Sequence, residues 1–518
     1  MEAAVNYEGL WLVPIAEAVF SWKIQHPVQA RPRLCARRDI RVLSSVQLPV
    51  VPLWLLSYLA ARGGAAANDC ERRMANIHHR TRERLGLGGL IVLHIIICCL
   101  SLIRLADYEY PIAFDPTEFH IFFNPARLHI AVLAVGSFAF VSLLFTVARF
   151  SFGYFVGFYL YTMVLSYLWL NCFTDLNYDH RLAGFSAGAS AVALLLPALF
   201  ITAPLRQIYV LTATEFDRLL VAILLLATAV VVIGAAYNFR LVAIEDIYDF
   251  RDQIVSPKIL NYLTGITSSA LLPFAFAGFA ARRAYWRAGA VLVLFLCMYP
   301  VTLSKVVLFT PFFLAGILVL SKLFEARIAV VLSLLGPILA GLVLVQLFGG
   351  KAALYLSFVN HRMMAVPAIA LDVYTDFFSK HDLTYFCQMS FSKYFVSCPY
   401  QEPLSIVMER TYRLGNFNAS LFATEGVASV GLLFAPIAVF ACGLVIALGN
   451  RLSAGLPASF ILLSGAVLPH IILNVPLSTT LLSHGAIVLF LLWYLTPRSM
   501  FRQQAASETP LRGHMPPR

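Results

Sequence analysis

The chain has 518 residues, of which 60% are hydrophobic and only 13% charged, and its mean hydropathy is +0.79. This composition excludes a soluble globular protein and indicates a polytopic membrane protein. The net charge of +11 lies in short basic clusters between apolar runs. There it sets orientation and meets membrane lipids, so no nucleic-acid partner is expected.

Residues 1–85 form a basic N-terminal region with one or two uncertain membrane segments, near 9–22 and 46–61. Arginine-rich stretches flank the second segment on both sides. Both of its ends therefore favour the cytoplasm, and its status stays ambiguous.

From residue 86 onward, apolar runs of about 20 residues recur, the length that crosses a hydrocarbon core of about 30 Å. They predict twelve helices, at residues 86–105, 127–147, 152–171, 184–203, 218–237, 264–281, 286–303, 305–322, 328–348, 429–449, 457–475 and 478–496. The fold class is therefore an all-α polytopic integral membrane protein with about 12–14 transmembrane helices. A helix bundle at 86–348 is followed by C-terminal helices at 429–497 and a cytoplasmic tail at 498–518.

Residues 349–428 are the long polar segment inside this hydrophobic body and predict one large extracytoplasmic loop. Short basic loops at the other helix ends predict the cytoplasmic side. They contain Arg149, 206–218, Arg282, Arg283, Arg287, Lys322, Arg327 and Arg451.

Basic residues are also retained on the predicted outer side, where topology does not require them: Arg240, Arg251, Lys305 and Arg362. Each one alone can reach lipid phosphates. Together they can form an anion site for a diphosphate, because guanidinium groups make bidentate contacts and lysine supplies a point charge.

Within the large loop, residues 372–378 (DVYTDFF) predict an amphipathic helix on the membrane surface, with Tyr374, Phe377 and Phe378 at the interface. Cys387 and Cys398 are eleven positions apart, and a disulfide between them is one of two open alternatives. The stretch 409–425 is dense in hydrogen-bonding groups. Two alternatives stay open for this stretch. It binds sugar hydroxyls at the membrane surface, or it is a capped helix start with solvated loop residues.

Three other motifs favour structural roles. Residues 184–188 match G-x-S-x-G but open an apolar helix, so a small-residue packing face is favoured over a hydrolase nucleophile. For Asp179 and His180, a loop contact is favoured over proton transfer, because adjacent side chains rarely face each other. The nine cysteines form no CxxC pair and no metal-site spacing, so neither a metal nor a cofactor is predicted.

The arrangement resembles the O-antigen polymerases of the Wzy type, which are oligosaccharide repeat-unit polymerases with many helices and one large late loop. The local strings that carry the resemblance are YNFRLVAIEDIYDFR, ALLPFAFAGFAARR, YPVTLSKVVLFTPFFL, HRMMAVPAIALDVYTDFF and GNFNASLFATEGVASVGLLFAP, within residues 178–440. The resemblance implies a glycosyltransferase of the bacterial inner membrane. It would join undecaprenyl-diphosphate-linked repeat units at the periplasmic face, without a metal or a nucleotide sugar, with a chain-length regulator as a possible partner.

That chemistry assigns roles to residues of this sequence. Arg240, Arg251, Lys305 and Arg362 would stabilise the leaving diphosphate. Glu425 is the first choice for the general base, with Glu409 behind it, and His361 beside Arg362 is the third catalytic candidate. Sugar or phosphate would be bound by Arg413, Asn416 and Asn418.

Two alternatives stay open. An O-antigen ligase also uses a basic residue and a histidine in a large outer loop, which His361 and Arg362 would provide. A flippase or exporter of lipid-linked oligosaccharide should instead carry charges and broken helices near the bilayer midplane. The predicted helices carry few such charges, which favours chemistry at one face.

Overall fold

The computed structural model describes residues 82–106, 119–243, 247, 250, 253–254, 256–389, 395–414 and 418–501. The two uncertain N-terminal segments, Arg251, Asn416 and residues 502–518 lie outside this part. The described part is built of helices and contains no strand. Ten of its helices are long and apolar enough to cross a membrane, which confirms an all-α polytopic membrane protein.

The first nine helices agree with the predicted spans to within about six residues at their predicted starts and ends. They are α1 Arg82–Ala106, α2 Pro125–Val147, α3 Phe152–Leu170, α4 His180–Phe200, α5 Ala213–Tyr237, α6 Lys258–Ala281, α7 Tyr285–Thr302, α8 Lys305–Leu323 and α9 Ala326–Phe348. Next come α10 at residues 353–378, α11 Leu404–Tyr412 and α12 Phe422–Ser453. After α12 come four short helices, α13 Ala458–Ser464, α14 Leu468–Ile472, α15 Leu477–Leu482 and α16 Ala486–Leu495.

Helix α3 is the centre of the bundle, because all 19 of its residues are buried. Its aromatic side chains fill the core, while Gly153 lets neighbouring backbone come close. A Cβ at position 153 would lie 2.9 Å from the carbonyl carbon of Ala198 and 2.9 Å from the amide nitrogen of Asn450. A larger residue at position 153 would push α4 and α12 away from α3.

The last two predicted spans are wrong as continuous helices. Residues 457–475 and 478–496 each divide into two short helices. Pro469 opens α14 and Pro476 precedes α15, and proline cannot donate the amide hydrogen that an uninterrupted helix needs. Gly485 has a φ of 70°, a left-handed conformation that ends α15 before α16 begins.

The basic loops gather on one face of the bundle, called the basic face below. Backbone hydrogen bonds join Leu205 to Arg451 and Leu211 to Leu495. Arg282 binds Asp217 at 2.6 Å, which brings the start of α5 to the end of α6. Helix ends that alternate with these lie on the opposite face, where Arg104 donates to Gln346 at 3.2 Å.

The predicted loop at 349–428 begins as helix. A short turn, Gly349–Ala352, leads from α9 into α10, which contains a π-helical stretch at Ser357–Ala365. The predicted membrane-surface helix at 372–378 is wrong, since Tyr374, Phe377 and Phe378 are 1%, 4% and 7% exposed. The segment is buried because α10 packs on α3 and on the π-helical start of α12.

Three smaller predictions can also be compared with the structure. Cys387 and Cys398 form a disulfide, which settles that alternative. Ser186 of the G-x-S-x-G string lies inside α4 and donates to the Leu432 carbonyl, so the string packs helices together. Asp179 caps α4 by accepting from the amides of Arg181 and Leu182, which confirms a loop contact for that residue.

Candidate functional site

Two cations of the predicted anion site come together on the opposite face. The backbone of Leu303 has a left-handed conformation that ends α7. Helix α8 begins at Lys305, immediately after this turn. The ammonium of Lys305 lies 4.6 Å from the ring centre of Phe358 on α10. Arg362, one helical turn further along α10, is exposed and close enough for its charge to repel that of Lys305. Two segments distant in sequence thus bring positive charge to the same region of the opposite face.

Arg240 is held beside the same turn. Its backbone amide donates to the Pro300 carbonyl at 3.0 Å, near the end of α7. Its guanidinium donates to the Gln253 side chain at 3.0 Å and lies 5.7 Å from the ring centre of Phe250. The side chain is exposed. Arg240 is therefore fixed to the helix end from which the chain passes directly to Lys305.

His361 faces inward, unlike its neighbour Arg362. It is 6% exposed and packs edge-on against Phe119, with 5.2 Å between ring centres. The preceding residue, Asn360, donates from its amide nitrogen to Ser101 and to the Ile338 carbonyl, both at 2.8 Å. Residues 360 and 361 therefore anchor α10, which leaves Arg362 as the member of this group that can reach a substrate.

Glu425 does not lie at the surface, which corrects the predicted position of the general base. It is 5% exposed, in the π-helical start of α12 at Phe422–Ala428. One carboxylate oxygen accepts from the backbone and the hydroxyl of Ser478, both at 3.0 Å, and the other accepts from Thr424 at 2.6 Å. The carboxylate thus ties α12 to the first turn of α15.

The remaining predicted ligands lie near the end of α11. Arg413 is exposed and ends that helix in a left-handed conformation with φ 59°, and Asn418 is exposed. Glu409, the second choice for a base, lies on α11 and is half-buried.

A buried acidic network was missed by the sequence reasoning. Asp372 accepts from Thr174 at 2.7 Å and from the Tyr178 hydroxyl. One turn later, Asp376 accepts from Lys380 at 2.5 Å and from Tyr412 at 2.6 Å. Burial raises the pKa of Tyr178, so this hydroxyl keeps its proton and acts as a donor. The four-residue spacing of the two aspartates in DVYTD was the available signal.

The sequence reasoning also missed the contact between His120 and Asp175. Nδ1 of His120 lies 2.8 Å from Oδ1 of Asp175, across 55 residues of sequence. Asp175 is exposed and follows Thr174 of the acidic network. Because the two residues lie on separate loops, no local sequence motif predicts their contact.

Cationic and acid–base groups of these types are chemically able to bind anions and to transfer protons. Within the part of the chain that the structure describes, no three His, Cys, Asp or Glu side chains are grouped to hold a metal ion. Comparison of the chain with protein-family models, curated proteins and solved structures finds no match. The geometry of the opposite face is therefore the guide to function.

Proposed function

We propose that the protein is a membrane glycosyltransferase that polymerises undecaprenyl-diphosphate-linked oligosaccharide repeat units into a surface polysaccharide such as O-antigen. Its active face would be the opposite face, on the periplasmic side of a bacterial inner membrane. The observation that carries this proposal is the meeting of Lys305 and Arg362, from separate segments, beside Arg240.

Charge explains why such a group suits the reaction. When the bond between the anomeric carbon and the diphosphate breaks, negative charge develops on the leaving group. Cations fixed in advance at that point lower the barrier, because they need no reorganisation during the reaction. Arg362 and Arg240 offer planar donors for phosphate oxygens, and Lys305 offers a point charge. A lipid-linked substrate also fits a site at the edge of a helical membrane bundle.

A defined reconstitution tests the proposal. Purified protein in detergent is incubated with a synthetic undecaprenyl-diphosphate repeat unit, and products are separated by length. A ladder of polymer is expected from the wild-type protein. Its absence, with intact substrate recovered from a folded preparation, would contradict the polymerase.

Charge removal then tests the cations. Lys305→Ala, Arg362→Ala and Arg240→Ala should each slow the ladder by about 10²- to 10³-fold, as loss of one oxyanion donor does. Arg206→Ala is the matched control, because Arg206 is an exposed arginine on the basic face. If the three variants build polymer at the control rate, the diphosphate assignment is wrong.

One observation favours a second candidate, a transporter of the same lipid-linked oligosaccharide. Helices α13 to α16 are broken, and buried Glu425 binds the first turn of α15. Discontinuous helices with buried acidic groups mark the substrate sites of many transporters. A transporter would give no ladder in detergent but would move the lipid-linked substrate between the leaflets of a proteoliposome.

The ligase alternative keeps weaker support. It relied on His361 and Arg362 acting together, yet His361 is buried. A deletion strain separates the two transferases. Loss of a polymerase leaves single repeat units attached to the lipid core, whereas loss of a ligase leaves the core without any.

A further inference from the structure

The His120–Asp175 pair has the geometry of an oriented base. The 2.8 Å contact joins Nδ1 to a carboxylate oxygen, and a carboxylate accepts hydrogen bonds. Nδ1 therefore carries the hydrogen, and in the neutral ring Nε2 holds the free lone pair. This is the arrangement in which an aspartate fixes the tautomer and direction of a catalytic histidine.

The backbone supports a special role for this residue. His120 has a backbone φ of 54°, in the left-handed region that residues other than glycine seldom adopt. Such a conformation persists only where surrounding contacts hold it, and it is commonest at functional sites. The imidazole is 21% exposed and Asp175 58% exposed, so the pair is accessible from outside the bundle.

Contacts of neighbouring residues connect the pair to α10, the helix that carries Arg362. Phe119, the chain neighbour of His120, packs on the ring of His361, and the next residue is Arg362. On the other side, Asp175 follows Thr174, whose hydroxyl binds buried Asp372. The base and the proposed diphosphate site are therefore fixed to the same helix, α10.

We infer that His120, positioned by Asp175, is the general base that accepts the proton of the acceptor sugar hydroxyl. This inference rests on the proposed function and deepens it. As the acceptor oxygen bonds to the anomeric carbon, its proton passes to Nε2 of His120. The bond from that carbon to the diphosphate breaks, and its electron pair leaves with the diphosphate beside Lys305 and Arg362. The imidazolium then returns its proton to solvent or to the departing diphosphate.

Four other acid–base groups on this face are already engaged by neighbouring groups. Glu425 accepts three hydrogen bonds and is buried. Asp372 and Asp376 are buried acceptors for hydroxyl and ammonium groups. His180 contacts the amide oxygen of Asn171 at 3.1 Å, which supplies no negative charge to stabilise an imidazolium. His120 combines exposure with a carboxylate partner.

The test uses three variants of the full chain in the ladder assay. His120→Gly suits the left-handed backbone and opens space for added imidazole. It should lower kcat by about 10²- to 10⁴-fold, the usual contribution of a general base, with KM for the lipid-linked substrate unchanged. Imidazole should restore activity in this variant. Asp175→Asn should lower kcat by a smaller factor, also with unchanged KM.

His129→Gln is the control, because His129 is an exposed histidine on nearby α2. His120→Asn, which also tolerates a left-handed backbone, replaces the glycine variant if that protein aggregates. If the wild-type protein forms no polymer ladder, the proposed function itself is wrong. A wild-type ladder together with an unchanged kcat in the folded His120 variants would overturn this inference and leave the polymerase standing.

Discussion

Gly341 on α9 offers a sharp test of how α10 is held. A Cβ at this position would overlap the side-chain oxygen of Asn360, and it would lie 2.7 Å from Cγ and 3.0 Å from the amide nitrogen. Asn360 is fully buried, and its amide nitrogen donates to Ser101 and to the Ile338 carbonyl. Gly341→Ala should therefore displace Asn360 and break both hydrogen bonds.

The expected cost follows from these contacts. Overpacking of a dense interior costs about 1–3 kcal/mol, and each lost hydrogen bond costs about 0.5–1.5 kcal/mol. These costs add to about 2–6 kcal/mol, and the better helix propensity of alanine returns about 1 kcal/mol, so the free energy of unfolding should fall by about 1–5 kcal/mol. The sign is therefore destabilising.

Gly336 on the same helix supplies the matched control, since a Cβ there meets no atom within 4 Å. Gly336→Ala should be neutral or slightly stabilising. Both variants are unfolded with SDS in mixed micelles, and their free energies of unfolding are compared with that of the wild type. Equal stability of the two variants would refute the reasoning, because only position 341 faces a side chain that cannot move without losing its partners.

Further predictions concern single groups. Tyr178→Phe should cost about 1–3 kcal/mol of stability by leaving Asp372 short of a donor. Because burial raises the folded-state pKa of Tyr178, its contribution is present below its unfolded pKa of about 10 and lost as pH rises through the folded value. An alkaline stability titration in which the wild type and Tyr178→Phe lose stability in parallel would contradict this. Under the proposed function, Glu425→Gln should keep most of the ladder-forming activity and lose about 1 kcal/mol of stability, whereas inactivity of the folded variant would restore Glu425 as the base. Cys387→Ser should expose Cys398 to a maleimide added to the purified protein, and labelling of Cys398 in the wild type to the same extent would argue against the disulfide.

Hydropathy was sufficient to find the long helices, because a span of about 20 apolar residues is a requirement of the bilayer and needs no partner. It was insufficient for 457–496, since averaging over a window hides helix breaks. Pro469, Pro476 and Gly485 were the local signals, and they mark the breaks that the structure has. The burial of 372–378 was hidden for another reason, because it depends on packing against α3 and α12 and on partners of Asp372 in a distant loop.

The sequence identified most residues of the candidate site but not how they are arranged in space. Net charge and topology singled out Arg240, Lys305 and Arg362, which do not suit an outer face without an anionic partner. Their proximity depends on how α8 packs against α10, and the sequence gives no measure of that. Glu425 was misplaced because a carboxylate that caps a distant helix has the same local sequence as one that faces solvent. His120 and Asp175 required a contact across 55 residues.

Charge on the opposite face has an energetic meaning under the proposed function. Ion pairs occur on both faces, since Arg282 binds Asp217 at 2.6 Å on the basic face and Lys380 binds Asp376 at 2.5 Å on the opposite face. Arg362 adds a like charge near Lys305, whose ammonium lies 4.6 Å from the ring centre of Phe358, one helical turn before Arg362. Bringing like charges together costs free energy that a bound anion recovers, so a diphosphate would bind with this repulsion relieved. Under the proposed function the same gain is largest once the leaving group carries its full charge. The repulsion in the free protein would therefore favour the transition state over the bound substrate.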